Sequence, residues 1–150
     1  MNKLTHIDEN NRPTMVDVSS KEDVLRKAVA EGIIYLQQET LKLIQENKIK
    51  KGNVLITAEL AGVMGGKKAS ELIPLCHNIP ISKIDVKAKV VENGIKVRSE
   101  AACIGKTGIE MEVLTAVNIA LLTIYDMCKA VDKNMKITDV KLINKTKEKI

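Results

Sequence analysis

Segment 108–132, GIEMEVLTAVNIALLTIYDMCKAVD, constrains the fold more than any other part of the chain. From Val113 to Cys128 almost every position is apolar, yet Glu110 and Glu112 stand at one end and Asp126 and Lys129 at the other. Thr107 followed three residues later by Glu110 has the form of a capping box, and two carboxylates fall in the first turn, where the helix dipole favours them. The pattern predicts a helix with Thr107 as its N-cap. Apolar side chains at 113, 114, 117, 119, 121, 122 and 124 cover more than one stripe, so burial on two sides is expected: against a sheet, and against a neighbour such as another subunit. The unbroken apolar run, about ten to fourteen residues, is too short to cross a membrane, and Thr115, Asn118, Thr123 and Asp126 interrupt even that.

With 150 residues and 45% hydrophobic composition, the chain suits a single domain, 1–150, with one buried core. The three cysteines, Cys76, Cys103 and Cys128, are odd in number and lack CxxC spacing, so neither a disulfide framework nor a zinc ribbon is indicated. Cys103 and Cys128 fall on apolar faces and read as core. The first residues, MNKLTHIDENNRP, hold no apolar signal region, and a cytoplasmic location is expected. The net charge of +5 suits an anionic partner, either nucleic acid or a phosphorylated small molecule. Two tyrosines and no Trp or Phe leave almost no stacking surface for single strands, which disfavours RNA and leaves phosphates. No metal site and no cofactor are expected.

Residues 1–23 are polar and read as an irregular or edge-pairing arm, patterned only at 15–21. Even positions from Arg26 to Leu36 run Arg, Ala, Ala, Gly, Ile, Leu, an alternation that predicts a strand. Residues 37–47 carry Leu41 and Ile44 at helical spacing, ended by Lys50-Lys51-Gly52. Residues 53–72 read as a second helix loosening at Gly65-Gly66, or as a buried strand to Leu60. Ile84, Val86, Ala88 and Val90 alternate with charged residues before Asn93-Gly94, the strongest short hairpin signal. With Asn93-Gly94 as the two-residue turn, Val90 faces Val97 and Val86 faces Ala101. Residues 137–143 make a last strand, followed by a basic tail at 144–150. The order is βαββαβ with an extra helix: an α+β fold of the ferredoxin-like, split-βαβ plan, an antiparallel sheet with helices on one face.

Three stretches, MVDVSSK at 15–21, KKASELIPLCHNIPIS at 67–82 and GKTGIEMEVLTAVNIALLTIYDMCKAVDK at 105–133, resemble the cyclic pyranopterin monophosphate synthase family of molybdenum cofactor biosynthesis. The resemblance spans nearly the whole chain. It implies a ferredoxin-like subunit, a homohexamer built as a trimer of dimers, and active sites at dimer interfaces. The implied substrate is a cyclised dihydro-GTP, and the implied products are the cyclic pyranopterin phosphate and pyrophosphate. It also implies Asp126 as catalytic acid with Lys51 and Lys129 as cationic partners, and Leu75, Cys76, His77, Met111, Glu112, Lys67 and Arg26 as substrate-binding positions. Two departures stand out. Asn144-Lys145-Thr146-Lys147 replaces the Lys-Ser-Gly-Gly run frequent in the family, although Lys145 can still reach phosphate. Gly65-Gly66 stands where alanines are frequent, and a looser turn is expected.

Each of these residues also has a plainer reading. Asp126 and Lys129, three apart, share a helix face and form either a surface ion pair worth a few tenths of a kcal/mol or a partly desolvated carboxylate tuned by ammonium groups. His77, between two prolines, is either satisfied by backbone or functional. Lys67-Lys68 is either solvated or turned toward phosphate. Glu112 and Asp126 lie fourteen residues apart on one helix, roughly 21 Å, and about 40° apart around it. They cannot both touch one reacting centre, so each site is expected to take the Glu112 end from one subunit and the Asp126 end from another. A non-catalytic regulatory module that binds a nucleotide at a subunit interface is the alternative, because this fold hosts many functions.

Overall fold

The computed structural model describes residues 4–150, so the first three residues of the expected arm lie outside it. Eight elements follow: β1 (Val24–Tyr35), α1 (Gln38–Gln45), α2 (Val54–Lys67), α3 (Ala69–Leu72), β2 (Ile81–Val91), β3 (Gly94–Gly105), α4 (Glu110–Cys128) and β4 (Lys136–Glu148). The sheet runs β2-β3-β1-β4 and every neighbouring pair is antiparallel. This is the predicted α+β, split-βαβ plan.

Strand alternation decides which face is covered. Ala28, Ala30 and Ile34 of β1, Ile95, Val97, Ala101 and Cys103 of β3, and Val86 of β2 form one core with Val113, Ala116, Val117, Ala120, Leu121 and Ile124 of α4. Cys128 joins them, so two cysteines are core as expected. By length and composition alone, the 19-residue α4 could cross a membrane, but its buried residues face the sheet and α2. On the opposite sheet face Glu31 meets Lys96 at 3.0 Å and Arg98 at 3.1 Å, a charged cross-strand set.

Four local expectations give way. The hairpin turn is Glu92-Asn93, since Val91 pairs with Gly94 and Val90 with Ile95. The register therefore slips by two from the Asn-Gly reading, which keeps the same side chains on the core face. The cause is tertiary: a Cβ on Gly94 would strike the Ile34 carbonyl oxygen, so this glycine serves a close strand approach to β1.

The glycines of α2 likewise serve packing. A Cβ at Gly65 would lie 2.6 Å from Ile119 Cγ1, and one at Gly62 or Gly66 would lie 3.0 Å from the carbonyl oxygen of Ala116 or Glu112. The helix does not loosen there; it continues to Lys67 because those glycines let it press against α4. It runs antiparallel to α4, with its C-terminal end beside Glu112. The strand alternative for residues up to Leu60 is ruled out by this helix.

Next, α4 begins at Glu110 with Ile109 as N-cap and no side-chain capping bond. The capping box does not form because the Glu110 carboxylate folds over Gly108, where a Cβ would collide with it. Last, β4 runs to Glu148, so most of the expected basic tail is edge strand: Lys145 pairs with Ala28 and Lys147 with Arg26.

Candidate functional site

Titratable side chains gather at the two ends of the α2–α4 layer. At the N-terminal end of α4, the loop after α3 brings Leu75, Cys76 and His77 against Met111 and Glu112, around a cavity of about 290 Å³ that His6, Ile73, Thr107, Gly108 and Glu110 complete. Five of the predicted substrate-binding residues, from two distant segments, thus meet in one place. Glu112 is only 3% exposed. Burial raises its pKa, and the neighbouring Glu110 charge adds to the effect. The Cys76 thiol, also pushed up by burial and by Glu112, lies 3.7 Å from the Ala69 carbonyl oxygen. His77 Nε2 is 2.5 Å from the Val16 carbonyl oxygen. A carbonyl can only accept, so Nε2 carries the proton. The histidine is therefore satisfied by backbone and lines the cavity as well, and it ties the arm motif 15–21 to the site.

A second cavity, about 280 Å³, adjoins the first through Gly108 and Glu110 and is lined by Arg26, Lys27, Ile109, Lys145, Thr146 and Lys147. Arg26 is fixed there: its guanidinium donates to the carbonyls of Gly105 and Lys106 at 3.1 and 3.0 Å. Lys145 Nζ lies 3.7 Å from Glu110. Lys67 lines neither cavity; it ends α2, exposed, on the same side of the layer. Sequence reasoning missed Glu110, which borders both cavities. It took Glu110 for a capping residue, and the adjacent Lys-Thr-Gly was the only other signal.

At the far end of α4, Lys51 Nζ lies 3.0 Å from Asp126 Oδ2, and Lys129 Nζ 3.0 Å from Oδ1. Asp126 is not desolvated as expected: its side chain is 55% exposed. Hydrogen bonds from Lys51 and then Lys129 hold its carboxyl below the usual range. Among the described residues, no three His, Cys, Asp or Glu side chains are grouped to hold a metal ion.

The MoaC family model matches residues 15–148. The chain belongs to the MoaC family. A relative in that family from Peptoclostridium acidaminophilum, named cyclic pyranopterin monophosphate synthase, is 51% identical over 144 residues, 96% of this chain and 92% of its own length. Proteins of the same name from Campylobacter jejuni subsp. doylei and Clostridium acetobutylicum are 52% and 50% identical, each over 95% of this chain and 92% and 90% of their own length. The family match takes in every lining residue of the two cavities except His6, and the Lys51–Asp126–Lys129 cluster.

Proposed function

We propose that this chain is a cyclic pyranopterin monophosphate synthase, which converts (8S)-3',8-cyclo-7,8-dihydroguanosine 5'-triphosphate into cyclic pyranopterin monophosphate with release of pyrophosphate. The observation that carries this reading is the meeting of residues 75–77 with Met111 and Glu112 around one cavity, in a chain about half identical to synthases along nearly its whole length. The buried Glu112 and the His77 ring offer hydrogen bonds to the purine-derived ring. Arg26 and Lys145 supply positive charge to the triphosphate. As the remaining phosphate cyclises, one P–O bond forms and the P–O bond to the departing pyrophosphate breaks, and ammonium groups neutralise the charge that develops. Lys51 and Lys129 stand beside the Asp126 carboxylate, and this cluster gives and takes protons while the ring opens and recloses.

The same reading places the enzyme in the cytoplasm as a homohexamer, a trimer of dimers, that uses no nucleic acid, membrane or cofactor. Support for assembly comes from α2, where Ile56, Leu60 and Met64, four residues apart, are 62%, 62% and 56% exposed. Such a stripe is what another subunit covers. A non-catalytic nucleotide-binding module is not favoured, since a carboxylate held between two ammonium groups adds nothing to nucleotide binding. The deciding experiment supplies the cyclised dihydro-GTP to purified protein and follows pyrophosphate and the oxidised fluorescent pterin. Turnover supports the synthase; tight binding without pterin points to the module instead.

A further inference from the structure

The chain between β1 and α2 is fastened to the end of α4 at two points. The first is α1, whose N-cap, Gln37, makes no side-chain capping bond of its own. Asp132, beyond α4, ties this end down instead. Its Oδ2 accepts from the Gln37 amide at 2.9 Å and the Thr40 hydroxyl at 2.8 Å, and its Oδ1 accepts from the Asn134 amide at 3.1 Å. Asp132 and Thr40 are 2% and 1% exposed. Burial works against the charge of Asp132, but these hydrogen bonds outweigh it and keep the carboxyl below its ordinary range. The Asp132 amide in turn donates to the Cys128 carbonyl at 3.0 Å, which fixes this residue to the last turn of α4.

The second point is Lys51, downstream of α1, on Asp126. That pair is exposed on both sides, and an exposed pair contributes too little to place a loop. Between the two points, Leu41, Ile44 and Ile49 are buried. Where Lys51 stands therefore follows from where α1 sits, and α1 starts on Asp132. Lys129 lies three residues before Asp132 in the same turn.

We propose that Asp132 is a positioning residue: capping α1 from the end of α4, it fixes Lys51 against the Asp126 carboxylate and so sets the geometry of the Lys51–Asp126–Lys129 cluster. The catalytic consequence rests on the synthase reading; the structural content does not.

The test measures the carboxyl titration of Asp126 by NMR in the assembled protein, for wild type, Asp132→Asn and Thr40→Val, beside turnover. Asp132→Asn removes a negative charge, which by itself would lower the Asp126 midpoint, and Thr40→Val changes no charge. A rise of the midpoint in both folded variants therefore reports a displaced lysine. Val86→Ala, a destabilising change in the buried face of β2, away from α1, leaves the midpoint in place. With turnover, kcat falls roughly tenfold while KM stays within about twofold, the mark of misplaced catalytic groups. An unmoved Asp126 midpoint in folded Asp132→Asn and Thr40→Val overturns the proposal, and a shifted midpoint with unchanged kcat overturns its catalytic consequence. If wild type makes no pterin, the synthase reading fails, and the titration still decides whether Asp132 positions Lys51.

Discussion

Lys51 and Asp126, 75 residues apart in the chain, meet at 3.0 Å, and the same lysine also reaches the Asp126 carbonyl at 3.3 Å. Because the carboxylate also takes Lys129, it is bracketed by two lysines. Asp126→Asn keeps the shape and removes the charge. Turnover is expected to drop by on the order of 10²–10⁴ with the circular dichroism spectrum and oligomer intact. Retained turnover in the asparagine variant removes Asp126 from the chemistry.

The distance along α4 makes a second prediction. Glu112→Ala and Asp126→Ala subunits, each inactive alone, should recover part of the activity when mixed and reassembled, because a hybrid interface pairs an intact Glu112 end with an intact Asp126 end. Verified hybrid oligomers that stay inactive would rule out a site shared in this way between subunits.

Stability should depend on pH through Glu112. Its folded pKa is raised by burial, so its contribution is fully present below the unfolded glutamate value, near 4.3, and is lost as pH rises through the folded value. Glu112→Gln removes that loss. Thermal melts are expected to show the glutamine variant more stable than wild type near neutral pH and the difference shrinking in acid. A constant difference across pH contradicts the assignment.

Ser99 is wholly buried, and its hydroxyl finds no hydrogen-bond partner among the described residues. Leaving such a group unpaired costs roughly 1–3 kcal/mol. Ser99→Ala should therefore raise the melting temperature, and a drop in Tm would show that the hydroxyl is satisfied after all.

The glycine seam responds in the opposite way. Gly65→Ala gains helix propensity of about 1 kcal/mol but drives a methyl into Ile119 at 2.6 Å, inside the core. Overpacking should win, with a net loss of roughly 1–3 kcal/mol, measured by urea denaturation.

Much of this was legible in the residues. Period-two alternation located β1 and β2, the hairpin signal located β3, and apolar density located α4. What the sequence hid was long-range. Gly94 and Gly65 look like turn or hinge glycines until Ile34 and Ile119 are seen pressing on them. Thr107 and Glu110 satisfy a capping pattern that Gly108 and Lys145 dissolve. Asp126 follows buried neighbours in sequence yet faces outward, since one turn of helix is enough to leave the core. Residues 75–77 and 111–112 were connected by family resemblance; no local pattern joins them. Asp132 passed unnoticed because its partners lie 92 and 95 residues away.

The extension of β4 to Glu148 changes what Lys145 brings to an anion. A lysine on a glycine-rich tail must give up backbone freedom when it closes on phosphate, at about 1–2 kcal/mol for each residue that becomes ordered. Here Lys145 is already laddered to Ala28, so that loss of entropy was settled on folding. Only the side chain remains to be ordered, and the contact is preorganised where a glycine tail would have to be recruited.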